Sequence, residues 1–187
     1  VHRTIPNEIG HNANGITVYP RIESVHMQPS HEDSEGITRL SSGIESMDAL
    51  IGGGLADSSI TLVYGPSGVG KTCFGLQFLS ESTVENPGLH FGFYESPQRL
   101  RLKAGFMGHD FKSLEASGAL HLSWHSSTAG LIDKLAYDML ATVDQYRIKR
   151  VFIDSLGGMT RVAADKTRVL DMFTALMGEL RARGVTV

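Results

Sequence analysis

The chain has 187 residues, with 17 Lys and Arg against 20 Asp and Glu, for a formal net charge of −3. That length suits one ordinary domain with a sizeable core, and 41% hydrophobic with 20% charged residues argues against disorder. The charge balance gives no broad footprint for duplex nucleic acid or an anionic membrane, no apolar run approaches a membrane span, and the lone Cys73 excludes an intrachain disulfide and a cysteine metal site. A reducing, cytoplasmic setting is the expectation.

Residues 1–35 have a texture of their own. They scatter His2, His11, His26 and His31 among turn formers, at spacings that match no usual metal-ligand pattern. Gly15-Ile16-Thr17-Val18-Tyr19 alternates as a strand does after a turn, and Gln28 to Glu35 reads as a polar linker. From Gly36 the pattern becomes that of a compact domain. Ser41 to Leu50 reads as a cap and short helix, stopped by Gly52-Gly53-Gly54. Strands are expected over 59–64, 89–94, 119–124 and 150–154, and helices over 71–82, 97–107, 129–146 and 166–183. Gly184 to Val187 reads as a further strand beginning. Near-continuous apolar strands alternating with helices predict an α/β fold, a mostly parallel sheet sandwiched by helices.

The informative stretch is Gly65-Pro66-Ser67-Gly68-Val69-Gly70-Lys71-Thr72, which fits G-x-x-x-x-G-K-[ST]. Its setting is the one the motif's physics demands, with a strand before it and a helix from Lys71 on. Glycines let the loop turn tightly and let backbone N–H groups reach phosphate oxygens, while the helix start turns its positive dipole end to the anion. Lys71 supplies a cation for the β- and γ-phosphates, and Thr72 a hydroxyl for Mg²⁺. Val151-Phe152-Ile153-Asp154 is an apolar strand ending in an acid, which makes Asp154 the second candidate magnesium residue. The neighbouring Ser155 suits either γ-phosphate sensing or a turn cap. Glu95, after the second strand, is the candidate carboxylate that orients or deprotonates an attacking water. Catalysis is thus expected of Glu95 and Lys71, with a nucleoside triphosphate and Mg²⁺ as ligands.

Weaker candidates have ordinary readings. His121 and His125 lack a third ligand, and Trp124 reads as a packing residue at a strand end. Arg99, Arg101 and Lys103 read as a solvated helix face, with a subunit contact as the alternative, and Cys73 as a small packing residue.

Taken together, the chain resembles the KaiC-like branch of the RecA-type ATPases. The resemblance is carried by Ser41-Ser42-Gly43-Ile44 with Asp48, Gly52-Gly53-Gly54, the phosphate loop, Phe93-Tyr94-Glu95-Ser96-Pro97 and Val151-Phe152-Ile153-Asp154-Ser155-Leu156. It implies ATP bound between neighbouring subunits of a homo-oligomeric ring, often a hexamer, with a signalling or regulatory role, an unidentified protein partner and autokinase activity in some members. It also implies that 15–20 is the last strand of a preceding KaiC-like domain. Residues 1–35 would then be that domain's tail and linker, and 36–187 an incomplete second ATPase domain whose later strands lie past Val187. Tyr94 stands where the family carries the first of two glutamates, usually taken as the base, so the resemblance implies slow turnover through Glu95. Two other functions stay open: an ATP-sensing scaffold without turnover, and a recombinase-type DNA-dependent ATPase. The latter needs basic loops that this sequence does not show.

Overall fold

The computed structural model describes residues 7–12, 15–25, 38–126, 131–163 and 166–187. The 28–35 linker and His2, His26 and His31 lie outside those residues. The centre is a parallel sheet in the order β6 (Leu120–Trp124), β5 (Gly88–Gly92), β7 (Arg150–Asp154). Gly88 pairs with both Leu120 and Arg150, and Gly92 with both Trp124 and Asp154, so the three strands end level at one edge. All five residues of β5 are buried, as a parallel strand covered on both faces requires.

The sheet continues past β7 through the 185–187 segment. Thr186 forms a parallel bridge with Arg150, and the Val187 N–H donates to the Ser59 carbonyl at 2.9 Å while its own carbonyl accepts from the Thr61 N–H at 2.8 Å. That pattern flanks Ile60 as a parallel ladder would. The strand expected over 59–64 is therefore realised only at its start, and no strand forms over 62–64. Tyr64 is 94% exposed.

Alternation along the strands divides the core. Leu89, Phe91 and Val151 pack against Met139 and Val143 of α6 (Ile132–Tyr146) and Met172, Leu176 and Leu180 of α8 (Val169–Ala182). On the other face Leu120, Leu122 and Phe152 meet Leu76 and Leu79 of α3 (Lys71–Ser80), Leu100 and Ala104 of α4 (Pro97–Phe106) and Phe111 of α5 (Phe111–Ala116). Gly75 lets α3 lie close against β7, since a Cβ there would fall 2.2 Å from the Phe152 ring. One turn earlier on the same helix is Thr72, which the close approach delivers to the end of β7.

Several elements add to the expected set. β1 (Glu8–Asn12) pairs antiparallel with the expected strand β2 (Gly15–Tyr19), and α1 (Ile22–Val25) follows. β3 (Arg39–Leu40) pairs with β4 (Leu55–Ala56) around α2 (Glu45–Leu50). α5 is capped by Asp110, whose carboxylate accepts the Ser113 N–H at 3.2 Å. α7 (Leu156–Val162) follows β7 directly, and a short 3-10 turn at Lys166–Arg168 leads into α8.

Residues 7–25 are fastened to the domain by charge. The Glu8 carboxylate accepts the N–H groups of Ile132 (3.2 Å) and Asp133 (2.8 Å), capping α6 where its own N-cap Leu131 offers no side chain. Arg168 donates to Glu23 at 2.8 Å and to both oxygens of the fully buried Asp133 at 3.1 and 3.0 Å. Asp133 also accepts the backbone N–H of buried Ile22 at 3.3 Å. Burial raises the pKa values of Asp133 and Glu8 despite the neighbouring arginine.

Candidate functional site

The 65–72 loop joins the short ladder at Ser59–Thr61 to α3. Gly70 is the N-cap of α3 with φ of 93°, a left-handed conformation that favours glycine, and the helix begins at Lys71. Cβ atoms placed on Gly68 or Gly70 would meet nothing within 4 Å, so neither position is packed under other side chains. Pro66, Ser67 and Val69 are exposed. The Lys71 ammonium donates to the carbonyls of Gly65 (2.9 Å) and Pro66 (2.7 Å), which keeps the cation at the loop's mouth.

Thr72 and Asp154 are 82 positions apart in sequence, and the Thr72 hydroxyl donates to Asp154 Oδ2 at 2.9 Å. A hydroxyl beside one carboxylate is a hard-oxygen pair suited to Mg²⁺, an ion that keeps water and phosphate oxygens as its other ligands. The donor set and the open loop together fit a Mg-nucleotide. Ser155 takes the N-cap position of α7 without a side-chain cap bond, and the Asp154–Ser155 peptide is cis.

Glu95 lies at the same edge. The Phe93 N–H donates to the Asp154 carbonyl at 3.0 Å, so the chain is still tied to β7 two residues before Glu95. The glutamate does not stand alone. Lys103 of α4 forms an ion pair with Oε1, while Oε2 is buried with no hydrogen-bond partner among the described residues. On the helix face read as solvated, Arg99 is exposed while Arg101 and Lys103 are half-buried, Arg101 pairing with Glu115 through contacts of 2.6 and 2.9 Å. Tyr94 is half exposed, with the Arg161 guanidinium 5.9 Å from its ring centre.

One buried polar neighbour of these residues escaped the sequence. His90 on β5 is 1% exposed, both its ring nitrogens lack a partner among the described residues, and it meets Phe152 edge-on at 5.6 Å. Burial pushes its pKa down to about 4, against the opposing pull of Asp154 and Glu95, so it is neutral at pH 7. The available signal was a polar residue inside a five-residue apolar strand, followed by Gly92. A Cβ at Gly92 would fall 2.3 Å from His90 Cε1.

The weaker candidates resolve otherwise. His121 stacks on Tyr146 at 3.9 Å and His125 on Phe91 at 4.0 Å, and no cluster of three metal-ligating side chains occurs among the described residues. Trp124 and Cys73 are exposed, correcting the packing roles expected of both. Trp124 closes β6 at the sheet edge, where no described element covers it.

A family model described as "ATPase: KaiC" matches residues 40–187. The circadian clock oscillator protein KaiC of Picosynechococcus sp. is 34% identical over 125 residues, covering 66% of this chain and 24% of that protein. KaiC of Thermostichus vulcanus is 33% identical over 150 residues, covering 79% and 28%. The circadian clock protein KaiC3 of Synechocystis sp. is 29% identical over 157 residues, covering 83% and 30%. The chain spans about a quarter of the length of these curated relatives. No helix among the described residues is long and apolar enough to cross a membrane. With its parallel sheet and phosphate loop in place, the chain belongs to the KaiC ATPase family and has a RecA-like α/β fold.

Proposed function

We propose that the 65–72 loop holds the phosphates of ATP and that Thr72 and Asp154 hold Mg²⁺. In this reading the loop amides and the N-terminus of α3 face the phosphate oxygens, and Lys71 moves from the Gly65 and Pro66 carbonyls onto the β- and γ-phosphates. Thr72 would hold the metal through its hydroxyl and Asp154 through its carboxylate. Mg²⁺ supplies neutralisation of the phosphate charge. Glu95 then serves as the base for slow hydrolysis. The observation that carries this reading is the 2.9 Å contact between Thr72 and Asp154, which makes two distant motifs one site.

Calorimetric titration of the chain and of Lys71→Ala with Mg-ATP tests it. Binding by the parent and its loss in the variant are expected; unchanged affinity overturns the reading.

The protein is further proposed to act in the cytoplasm as a homo-oligomer with a regulatory role. Exposed Phe106 and Leu102, one turn apart on α4, offer an apolar surface for a neighbouring copy. A second reading, an ATP-gated scaffold without turnover, is favoured by Tyr94 and its Arg161 neighbour, which leave Glu95 as the single carboxylate at that turn. Phosphate release measured beside size-exclusion behaviour, with and without ATP, separates the two. Assembly that follows ATP without phosphate release supports the scaffold.

A further inference from the structure

Gly75 sits where the phosphate-loop motif makes no demand. It is the fifth residue of α3, and glycine weakens a helix interior relative to alanine. The residue is buried, and a Cβ built there falls 2.2 Å from Cε1 and Cζ of Phe152 and 2.4 Å from Cδ1. Ordinary contact begins near 3.4 Å, so a methyl group would force helix and ring about 1 Å further apart. The missing side chain sets how close α3 comes to β7.

Two contacts between these elements are in step. Phe152 and Asp154 are two apart on β7 and share a face of the sheet, while Thr72 and Gly75 are three apart on α3 and share a face of the helix. Gly75 meets the Phe152 ring, and Thr72 donates to Asp154 Oδ2 at 2.9 Å. Going along the helix from 72 to 75 is going back along the strand from 154 to 152. The approach allowed at the first contact therefore governs the second.

The surrounding packing sends any strain to the Thr72 end. On the β5 side the half-buried Phe152 ring is flanked by its register partner, the buried His90, which meets it edge-on at 5.6 Å. His90 in turn leans over Gly92, whose built Cβ would lie 2.3 Å from His90 Cε1 and 3.2 Å from the Asp154 carbonyl oxygen. The C-terminal half of α3 is pinned as well. Leu76 and Leu79 are fully buried, and Gln77 donates to the Gly43 carbonyl at 2.8 Å while its side-chain oxygen lies 2.8 Å from His109 Nε2. The first turn, with Cys73 exposed and Thr72 half-buried, is the part left able to swing.

We propose that Gly75 and Phe152 are positioning residues for Mg²⁺: one aromatic ring against a bare helix backbone sets the spacing of the Thr72 hydroxyl and the Asp154 carboxylate, and with it the preference for that ion. The inference rests on the reading of Thr72 and Asp154 as the metal pair. Mg²⁺ demands near-ideal octahedral geometry, whereas Ca²⁺ accepts longer bonds and looser arrangements. A pair whose separation is fixed by the packing behind it selects the smaller ion. Loss of the groups that orient a metal's ligands commonly costs about 10–100-fold in affinity.

The test is calorimetric titration of the full chain with ATP in EDTA, with Mg-ATP and with Ca-ATP, set beside Gly75→Ala, Thr72→Ala and the double variant Gly75→Ala with Phe152→Leu. Thr72→Ala measures the increment in ATP affinity that the metal pair supplies. Gly75→Ala is expected to lose about tenfold in Mg-ATP affinity and to keep its metal-free ATP affinity within about twofold. It should lose less with Ca²⁺, so that the preference for Mg²⁺ falls. Shortening the ring in the double variant makes room for the methyl group and should return Mg-ATP affinity to within about threefold of the parent. Phe152→Trp, which enlarges the ring from the strand side, should reproduce the loss and takes the place of Gly75→Ala if that variant proves unfolded in thermal melts. A Gly75→Ala that loses affinity equally with and without metal, that keeps the parent's ion preference, or that Phe152→Leu does not restore overturns the spacing role while the metal pair stands. A parent and a Thr72→Ala variant that bind ATP alike with and without Mg²⁺ overturn the metal pair, and the spacing role with it.

Discussion

The nucleotide edge and the Arg168 cluster are both polar, both partly buried and both assembled from residues far apart in sequence, yet they treat hydrogen bonds in opposite ways. Around Arg168 the groups are mostly paired. Asp133 takes an arginine fork and the Ile22 N–H, Glu8 takes two helix amides, and Glu23 meets Arg168, with Glu23 Oε2 the one buried side-chain oxygen of the cluster without a partner among the described residues. At the edge, the Cβ positions of Gly68 and Gly70 meet nothing within 4 Å, and Glu95 Oε2 and both His90 nitrogens have no hydrogen-bond partner among the described residues. The first arrangement fastens residues 7–25 to the domain.

Breaking the paired region should cost the most. Arg168→Met leaves Asp133 buried without its counter-charge, and a loss of about 3–5 kcal/mol is expected in urea melts. Arg168→Met combined with Asp133→Leu should recover much of that, because removing both charges removes the desolvation problem. Nucleotide affinity should hardly move in the double variant, which separates the two regions.

The buried histidine gives the next effect. A pKa near 4 in the folded chain against an ordinary value of 6.5 means the unfolded chain takes up a proton that the folded one refuses. Stability present above pH 6.5 is therefore lost as pH falls towards 4, by on the order of 3 kcal/mol. His90→Phe should flatten that part of a stability profile measured by thermal melts across the same range; an unchanged slope would assign the loss elsewhere.

Glu8→Ala removes the cap of α6 and should cost about 1 kcal/mol, with faster hydrogen exchange at the Ile132 and Asp133 amides. The sign of the pH effect is informative. Burial raises the Glu8 pKa above 4.5, so in the folded chain the carboxyl holds its proton more tightly than when unfolded. Its ionisation weakens the docked segment as pH rises through that raised value, and lowering pH into the window above 4.5 should slow exchange of the hairpin amides in the parent but not in Glu8→Gln.

What the sequence disclosed follows the reach of each interaction. The phosphate loop was legible because its chemistry is local and its spacing fixed, and the strand 150–154 because an apolar run ending in an acid needs no distant help. The segment 59–64 has the same apolar character, yet pairs only at Ser59 and Thr61, because strand formation depends on a neighbour the run itself does not specify. α7 was hidden by Gly157 and Gly158, which lower helix propensity while the chain is still carried helically away from β7. α5 left a readable trace in Asp110 followed by Ser113. The Lys103 side chain was read with its helix face, since nothing local reveals that a lysine reaches back past a helix cap to Glu95. The set of Glu8, Glu23, Asp133 and Arg168 spans 160 positions and carries no pattern; only folding brings it together.

The most direct measurement of the central claim is amide hydrogen exchange over 65–72 with and without saturating Mg-ATP. Slowed exchange concentrated at Gly68, Gly70, Lys71 and Thr72, absent in Lys71→Ala, is what a phosphate held by those amides predicts. Exchange at these positions that is indifferent to saturating nucleotide, with protection appearing elsewhere in the chain, would contradict it.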